Sequence, residues 1–274
     1  MIPVAFDYAR AGSIDEALSV LDEHGDEAKL LAGGHSLLPL MKLRLAAPSM
    51  LVDIGRLNDL SYIRDAGDHV AIGALTRHRD VEISDLLARD VPLLAHAAGE
   101  VGDNQVRHRG TIGGSVSHSD PASDLPATLL ALDATFVARS SSGERTIAAS
   151  QFFTGFLESA LSPTEMLTEI RVPKMPGAGW NFQKFNRRAQ DWAIVGVAAW
   201  RNNGNAGVAL VNMGSTPVRA TAVEQALAQG ASISDAAALA DQGSEPPSDL
   251  NASPDYRRHL AKVLVRRALE AASS

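Results

Sequence analysis

The chain contains no cysteine among its 274 residues. Disulfide bonds, cysteine nucleophiles and thiolate-ligated iron–sulfur clusters are therefore excluded within it. It also lacks an uncharged apolar run long enough to cross a membrane. The opening segment MIPVAFDYARAGS has no basic stretch followed by an apolar one, as a secretory signal would have. We therefore expect a cytoplasmic protein without a membrane span.

Positive charge is in short supply. Lys and Arg total 25 against 32 Asp and Glu, and the formal net charge is -7. Nucleic acids and anionic membranes are bound through a basic face, so neither is expected as the main partner. A local basic pocket for an anionic cofactor remains compatible with this balance. His78, His96 and His108 lack the spacing of metal ligands, and no metal site is expected.

What is present is an ordinary globular composition in which helical and strand patterns alternate. A helix is predicted from Ile14, after a capping box of Ser13 and Glu16. Buried strands are predicted in AKLLAG, SMLVDIG, HVAIGAL and EMLTEIRVP, and a hairpin is expected to turn at Ser142-Gly143. Together these patterns predict an α+β fold.

The segment KMPGAGW is rich in proline and glycine and predicts a boundary between domains. Beyond it, NFQKFN, AIVGVAAW and AGVALVNMG predict strands of a second sheet. The chain closes with a predicted helix, YRRHLAKVLVRRALEAA. Helical spacing predicts an apolar side for it, made of Leu260, Val263, Leu264, Ala268 and Ala271.

Two glycine pairs interrupt apolar segments, Gly33-Gly34 in LLAGGHS and Gly113-Gly114 in TIGGSVSHSD. Glycine lets a ligand approach the backbone, and free N–H groups at a helix start attract anions, so each pair could cradle phosphate. A Gly-Gly turn can equally be only a turn. Neither pair fits the Rossmann or Walker pattern. Arg107 and Arg109 flank the second pair and could either buttress it or compensate the charge of a pyrophosphate; we favour the first role.

These segments carry a family resemblance. AGGHSLLPLMKLRL, VDIGRL, AIGALT, VRHRGTIGGSVSHSDPASDLPATLLAL, EIRVP and FQKFNRRAQDWAIVGVAA follow one another in the chain. In their order and spacing they resemble the FAD-binding medium subunit of the molybdenum hydroxylases. This is the family of xanthine dehydrogenase and aerobic carbon monoxide dehydrogenase, and the sequence is most similar to the carbon monoxide dehydrogenase type. The resemblance covers essentially the whole chain.

The resemblance implies a domain organisation. Residues 1–175 would form a FAD-binding domain of the vanillyl-alcohol-oxidase (PCMH) type, with subdomains at about 1–56 and 57–175. Residues 176–274 would form a smaller α+β C-terminal domain. FAD would lie between the two subdomains, which would explain why two distant glycine loops are needed.

The resemblance also implies a set of FAD-binding residues. They are Leu31, Ala32, Gly33, Gly34, His35, Ser36, Leu37, Leu38, Val101, Thr111, Ile112, Gly113, Gly114, Ser115, Ser117, Asp124, Met166, Leu167, Lys184 and Trp192. The two glycine segments would bind the pyrophosphate, so a valine at Gly34 is expected to displace it. No side chain is expected to act as a catalytic base.

Several of these residues also have a structural explanation, which the sequence alone leaves open. Asp124 could be a helix N-cap, and Lys184 could be a solvated charge on a strand. Met166, Leu167 and Trp192 could equally be core residues.

The implied function is that of an oxidoreductase component: a FAD-binding electron-transfer subunit of a heteromeric molybdenum-containing hydroxylase. It would take electrons from [2Fe-2S] clusters on a small partner subunit and pass them to an external acceptor. A large subunit would hold the molybdopterin-type molybdenum cofactor, and the family suggests a dimer of heterotrimers. The alternatives are a stand-alone FAD-dependent oxidase or dehydrogenase and a cofactor-free scaffold subunit.

Overall fold

The structure is a computed structural model that describes residues 2–273. Its helices are α1 (Ile14–His24), α2 (Leu37–Leu43), α3 (His78–Glu82), α4 (Asp85–Asp90), α5 (Pro92–Gly99), α6 (Asn104–Arg109), α7 (Ile112–His118), α8 (Asp124–Ala131), α9 (Ala149–Phe152), α10 (Thr221–Ala228), α11 (Ile233–Ala237) and α12 (Pro254–Ala271). Its strands are β1 (Asp7–Arg10), β2 (Ala28–Leu31), β3 (Met50–Asp53), β4 (Ile63–Asp65), β5 (His69–Gly73), β6 (Thr135–Ser140), β7 (Gly143–Ala148), β8 (Phe153–Gly155), β9 (Glu158–Ser159), β10 (Met166–Pro173), β11 (Gly179–Phe185), β12 (Val195–Asn202), β13 (Asn205–Val211) and β14 (Val218–Arg219). The mixture of helices and strands confirms the predicted α+β class.

The first sheet is parallel and three-stranded, in the order β1-β3-β2. Parallel strands need crossover connections, and α1 and α2 supply them. The predicted capping of α1 holds in part: the Ser13 hydroxyl accepts from Glu16 N, but the Glu16 carboxylate accepts from Gly12 N and not from Ser13 N. Ala17 and Leu18 of α1 are buried in the core beneath this sheet.

The second sheet is antiparallel and five-stranded, in the order β4-β5-β10-β6-β7. Its hairpin pairs Ser140 with Gly143, so the turn lies at Ser141-Ser142, one residue before the predicted position. One face of the sheet contributes Phe136 and Ile170 to a core completed by leucines of α5 and α8. Helices α3 to α8, which lie between β5 and β6 in the sequence, are therefore held against this sheet.

The third sheet is antiparallel and four-stranded, in the order β11-β12-β13-β14, and α12 packs on it. Leu260, Leu264 and Ala268 of α12 are buried as predicted, and Val263 is half-buried. The prediction for Ala271 is wrong, because this residue is exposed. The buried face of α12 instead includes a second row of residues: Ala261, Val265 and Leu269.

Helix α8 is buried along its whole length, and the third sheet holds its C-terminal end. Trp200 Nε1 donates to the carbonyl of Ala131 at 2.6 Å, and Arg219 Nη1 donates to that of Leu130 at 2.7 Å. The last carbonyls of a helix have no partner within the helix, so the carbonyl of Ala131 would otherwise be buried unpaired. The carbonyl of Leu130 also accepts from Asp133 N. The third sheet thereby fixes α8.

The sheets follow one another in the order that the domain prediction requires. The predicted subdomain boundary near residue 56 falls after β3, and the boundary near residue 175 falls between β10 and β11. That these parts are separate domains stays a prediction. In residues 2–273, no helix has the length and apolar character needed to cross a membrane.

The bond from Trp200 to Ala131 gives a test of this packing. We expect Trp200→Phe to lower the free energy of unfolding by about 1–3 kcal/mol more than a matched control does, because a buried carbonyl loses its donor. The control is Trp180→Phe. Trp180 is also half-buried and pairs with Trp200 across the sheet, but its indole N–H has no acceptor among the described residues. Urea unfolding measures both, and equal losses would contradict the assignment.

Candidate functional site

A cavity of about 820 Å³ opens between the first sheet and helices α6 to α8. Several separated parts of the chain line it, among them the segment after β2, the segments around α7 and β10, and β11 with the loop that follows. The two glycine pairs therefore face one cavity, although they are distant in sequence.

Nearly all of the predicted FAD-binding residues line this cavity. Those that do so are Leu31, Ala32, Gly33, Gly34, His35, Ser36, Leu37, Val101, Thr111, Gly113, Gly114, Ser115, Ser117, Asp124, Met166, Leu167, Lys184 and Trp192. Leu38 and Ile112 are outside the lining. Ile112 is fully buried in the core beneath the second sheet, and Leu38 is partly exposed on α2.

In the first segment, both glycines are required by the protein itself. A Cβ on Gly33 would overlap the carbonyl oxygen of Arg109, so the absent side chain admits the backbone of a distant segment. Gly34 has φ +76°, which disfavours other residues, and a Cβ there would lie 2.9 Å from Leu38 Cδ1. A Cβ on Gly34 would point at Leu38 and Leu31, so a valine there would disturb the protein itself, and its displacement of a pyrophosphate stays a prediction.

The second glycine segment is a helix and not a loop. Thr111 caps α7 by accepting from Gly114 N at 3.2 Å. Gly113 packs against the end of β5, where a Cβ would lie 2.5 Å from the carbonyl oxygen of Ala74. A Cβ on Gly114 would meet only Thr111 Oγ1, at 2.8 Å, and nothing else within 4 Å. At Gly114 the atom in the way is therefore a hydroxyl at the start of the same helix and not the backbone of a distant segment.

Arg107 buttresses this region, as predicted. Its guanidinium is buried, pairs with Glu82 Oε2 at 2.9 Å and donates to the carbonyl of Val101 at 2.6 Å and to Asn104 Oδ1. The backbone before α6 is thus fixed where Val101 lines the cavity. Arg77 adds a second support, because its Nη1 donates to the carbonyls of His108 and Arg109.

A buried ion pair lies in the part of the cavity lining between α8 and the third sheet. Lys184 Nζ is 2.8 Å from Asp124 Oδ2 and 2.9 Å from the carbonyl oxygen of Glu100. Only 4% of the Lys184 side chain and 8% of the Asp124 side chain are exposed. Asp124 Oδ1 is also buried and has no hydrogen-bond partner. The arrangement therefore offers one unused anionic acceptor.

The structural explanations considered for this pair are wrong. Ser123 occupies the N-cap position of α8, and the Asp124 carboxylate binds Lys184 and not the helix backbone. Lys184 is buried and not solvated. Burial raises the pKa of the Asp124 carboxyl to about 6, although the Lys184 ammonium acts in the opposite direction.

The apolar members of the set differ in their surroundings. Met166 and Leu167 are buried in the core, which confirms the core interpretation. Both also line the cavity, and their contact with FAD stays a prediction. Trp192 is 58% exposed, which rules out the core interpretation and places it at the rim of the cavity.

The sequence reasoning missed His78. Its ring is 2% exposed and lines the cavity, Nε2 lies 3.2 Å from Ser115 Oγ, and Nδ1 has no partner. Burial lowers its pKa to about 4, and the charges of His35 and Arg107 act in the same direction. Its only sequence signal is its place three residues after the end of the predicted strand HVAIGAL. No group of three or more His, Asp or Glu in residues 2–273 is arranged to hold a metal ion.

The raised pKa of Asp124 predicts a pH dependence of stability for the FAD-free protein. Because the folded-state pKa of about 6 exceeds the ordinary 3.8, the contribution is full below about pH 4 and is lost as pH rises through about 6. Between about pH 4.5 and pH 8, wild type should lose on the order of 2 kcal/mol relative to Asp124→Asn. Urea unfolding at several pH values measures this difference.

A control isolates the effect of burial. Asp133→Asn removes a carboxylate that pairs with Arg219 at the surface, where 61% of the Asp133 side chain is exposed. The difference between wild type and Asp124→Asn should change with pH more than the difference for Asp133→Asn does. A pH-independent difference for Asp124→Asn would show that its carboxyl titrates normally.

Comparison with known protein families places this site in context. A model described as the FAD binding domain in molybdopterin dehydrogenase matches residues 4–175. A second model, described as the CO dehydrogenase flavoprotein C-terminal domain, matches residues 180–272. The cavity is lined by residues from both matched regions.

Individual relatives agree with these matches. The carbon monoxide dehydrogenase medium chain of Hydrogenophaga pseudoflava is 42% identical over 282 residues, which cover 99% of this chain and 98% of the relative. The alpha subunit of the 6-hydroxypseudooxynicotine dehydrogenase complex of Paenarthrobacter nicotinovorans is 39% identical, with 98% of this chain and 95% of the relative covered.

Solved structures give the same result. A chain of carbon monoxide dehydrogenase from Hydrogenophaga pseudoflava superposes with a TM-score of 0.96 at 43% identity, over 100% of this chain and 99% of that chain. A chain of quinoline 2-oxidoreductase from Pseudomonas putida 86 gives a TM-score of 0.92 at 33% identity, over 100% and 99% respectively. The chain therefore belongs to the family of FAD-binding medium subunits of molybdenum hydroxylases.

Proposed function

We propose that the chain holds FAD in the cavity described above and serves as the electron-transfer subunit of a molybdenum-containing hydroxylase. Electrons would arrive from [2Fe-2S] clusters on a partner subunit and leave to an external acceptor. One observation carries the placement of FAD: a single cavity joins both glycine segments to a buried carboxylate oxygen without a partner.

The residues present fit FAD. Ligand pockets commonly have volumes of about 300–1,000 Å³, and this cavity has about 820 Å³. The first glycine segment offers backbone N–H groups, and Ser36 and Ser115 offer hydroxyls, which suit a pyrophosphate. The backbone N–H groups of Ile112 to Ser115 already donate within the protein. Gly114 carries no side chain, and the nearest obstacle to one is the Thr111 hydroxyl. We assign the pyrophosphate to this part of the cavity.

The ion pair suits the flavin ring. A carboxylate accepts hydrogen bonds only, and Asp124 Oδ1 has none within the protein. The oxidised flavin ring carries an N–H donor, which would satisfy this oxygen. Lys184 keeps the carboxylate ionised beside the ring, and Trp192 at the rim would shield the ring from water. When bound, FAD supplies redox chemistry by taking up and releasing electrons.

The absence of cysteine supports the division of labour among subunits. Iron–sulfur clusters need thiolate ligands, and this chain has none to offer. The clusters would therefore lie on a small partner subunit and the molybdenum cofactor on a large one. We propose a cytoplasmic complex, a dimer of such heterotrimers. The related medium chain belongs to carbon monoxide dehydrogenase, which supports this assembly.

The substrate would be recognised by the large subunit and not by this chain. The relatives are named for different substrates, carbon monoxide, 6-hydroxypseudooxynicotine and quinoline, yet they match this chain along its whole length. A role limited to binding FAD and transferring electrons would account for this similarity among relatives that are named for different substrates.

Gly114 provides the test of the pyrophosphate position. We expect Gly114→Val to weaken FAD binding more than tenfold, because its side chain would occupy the space beside the phosphate. Flavin fluorescence titration of the FAD-free chain measures the dissociation constant. Thr111→Ala is the control, since it also loses the N-cap of α7 but adds no atom. Wild-type affinity in Gly114→Val would show that FAD lies elsewhere.

The isolated chain separates the proposed role from a stand-alone oxidase. We expect it to bind FAD and to remain oxidised with small organic substrates under anaerobic conditions, since its cavity supplies no substrate site. The absorbance of the flavin measures this. Co-expression with a cysteine-rich small subunit and a large molybdenum subunit should restore reduction. Reduction of the isolated chain by such a substrate would favour the stand-alone enzyme.

A further inference from the structure

His78 lies directly beneath the second glycine segment. Its backbone N–H donates to the carbonyl of Gly110 at 3.0 Å, so the residue is tied to the connection between α6 and α7. A Cβ on Gly110 would lie 2.7 Å from His78 Cδ2, and the missing side chain therefore makes room for the ring. The ring is held in one place, with Nε2 facing Ser115 Oγ at 3.2 Å.

The imidazole is neutral at physiological pH, because burial and the charges of His35 and Arg107 disfavour its protonated form. A neutral imidazole carries one proton, on either Nδ1 or Nε2. Nδ1 is buried and has no partner. A buried N–H without an acceptor is rarer and costlier than a bare acceptor, so the proton belongs on Nε2.

This tautomer fixes the direction of the hydrogen bond to Ser115. Nε2–H donates and Ser115 Oγ accepts. The hydroxyl proton of Ser115 is then free to point away from the ring. Ser115 lines the cavity, so its O–H can donate to a ligand there. The opposite direction would turn the lone pairs of Ser115 toward the ligand and repel an anion.

We propose that His78 is a positioning residue: it donates from Nε2 to Ser115 Oγ and so leaves the Ser115 O–H to donate to a phosphate oxygen of FAD. The proposal rests on FAD occupying this cavity. His78 itself does not touch the phosphate in this arrangement. It acts through Ser115, and its contribution should disappear when the hydroxyl of Ser115 is removed.

A double-mutant cycle tests this dependence. The FAD dissociation constant is measured by fluorescence titration for full-length wild type, His78→Leu, Ser115→Ala and the double variant. We expect His78→Leu to weaken binding about three- to tenfold in wild type, the range of one hydrogen bond, and less than about twofold in the Ser115→Ala background. A purely structural role would produce the same loss in both backgrounds and would overturn the proposal.

A conservative variant provides the matched control. His78→Gln keeps an N–H donor at a similar distance from the backbone, and we expect it to bind FAD within about twofold of wild type. If His78→Leu fails to fold, the same cycle is completed with His78→Asn, whose shorter amide cannot reach Ser115. Loss of binding in His78→Gln equal to that in His78→Leu would contradict the donor role.

The tautomer is measured independently of affinity. In uniformly ¹⁵N-labelled protein, the long-range proton–nitrogen correlation of the His78 ring, assigned by its absence in His78→Gln, should show the proton on Nε2. A proton on Nδ1 would overturn the proposal even if FAD binds. A wild-type chain that binds no FAD would instead refute the proposed function, and the tautomer would still be read from the FAD-free protein.

Discussion

The buried pair of Asp124 and Lys184 is the interaction on which the arrangement of the cavity depends. It joins α8 to β11 across a sequence separation of 60 residues, and neither side chain reaches water to any extent. Buried ion pairs contribute little net stability, because desolvation offsets their attraction. Trp200 and Arg219 bind the opposite end of α8, which gives the helix a fixed position. The same rigidity keeps Asp124 Oδ1 away from internal donors.

The glycine segments illustrate a related constraint. Gly33 and Gly113 are small because protein atoms occupy the space where their side chains would be, on Arg109 and on Ala74 respectively. At Gly114 the atom in the way is the Thr111 hydroxyl, which belongs to the start of the same helix. Backbone contact between distant segments thus forms the walls of the site, and the ligand meets walls that are already fixed. Such preorganisation lowers the entropic cost of binding.

The sequence predicted most regular elements but only part of the site. Apolar patterns located α1 and α12, each of which buries one side, and β10, which is buried on both faces. Helix α7 was mistaken for a loop, since two glycines disfavour a helix and only the Thr111 cap and the contact with Ala74 restore it. The burial of Asp124 could not be predicted either, because its partner Lys184 lies on the third sheet, 60 residues further along the chain.

The same limit applied to His78, whose partner Ser115 is 37 residues away. A residue of this kind is recognised from a missing hydrogen bond, which a sequence does not contain.

The contact of Gly33 with Arg109 has a different consequence. It joins backbone to backbone with no side chain between, so substitution of neighbouring side chains cannot alter it. The distance between the two glycine segments is therefore set by the contact of backbone atoms. The opening of the cavity keeps its width when the side chains around it change.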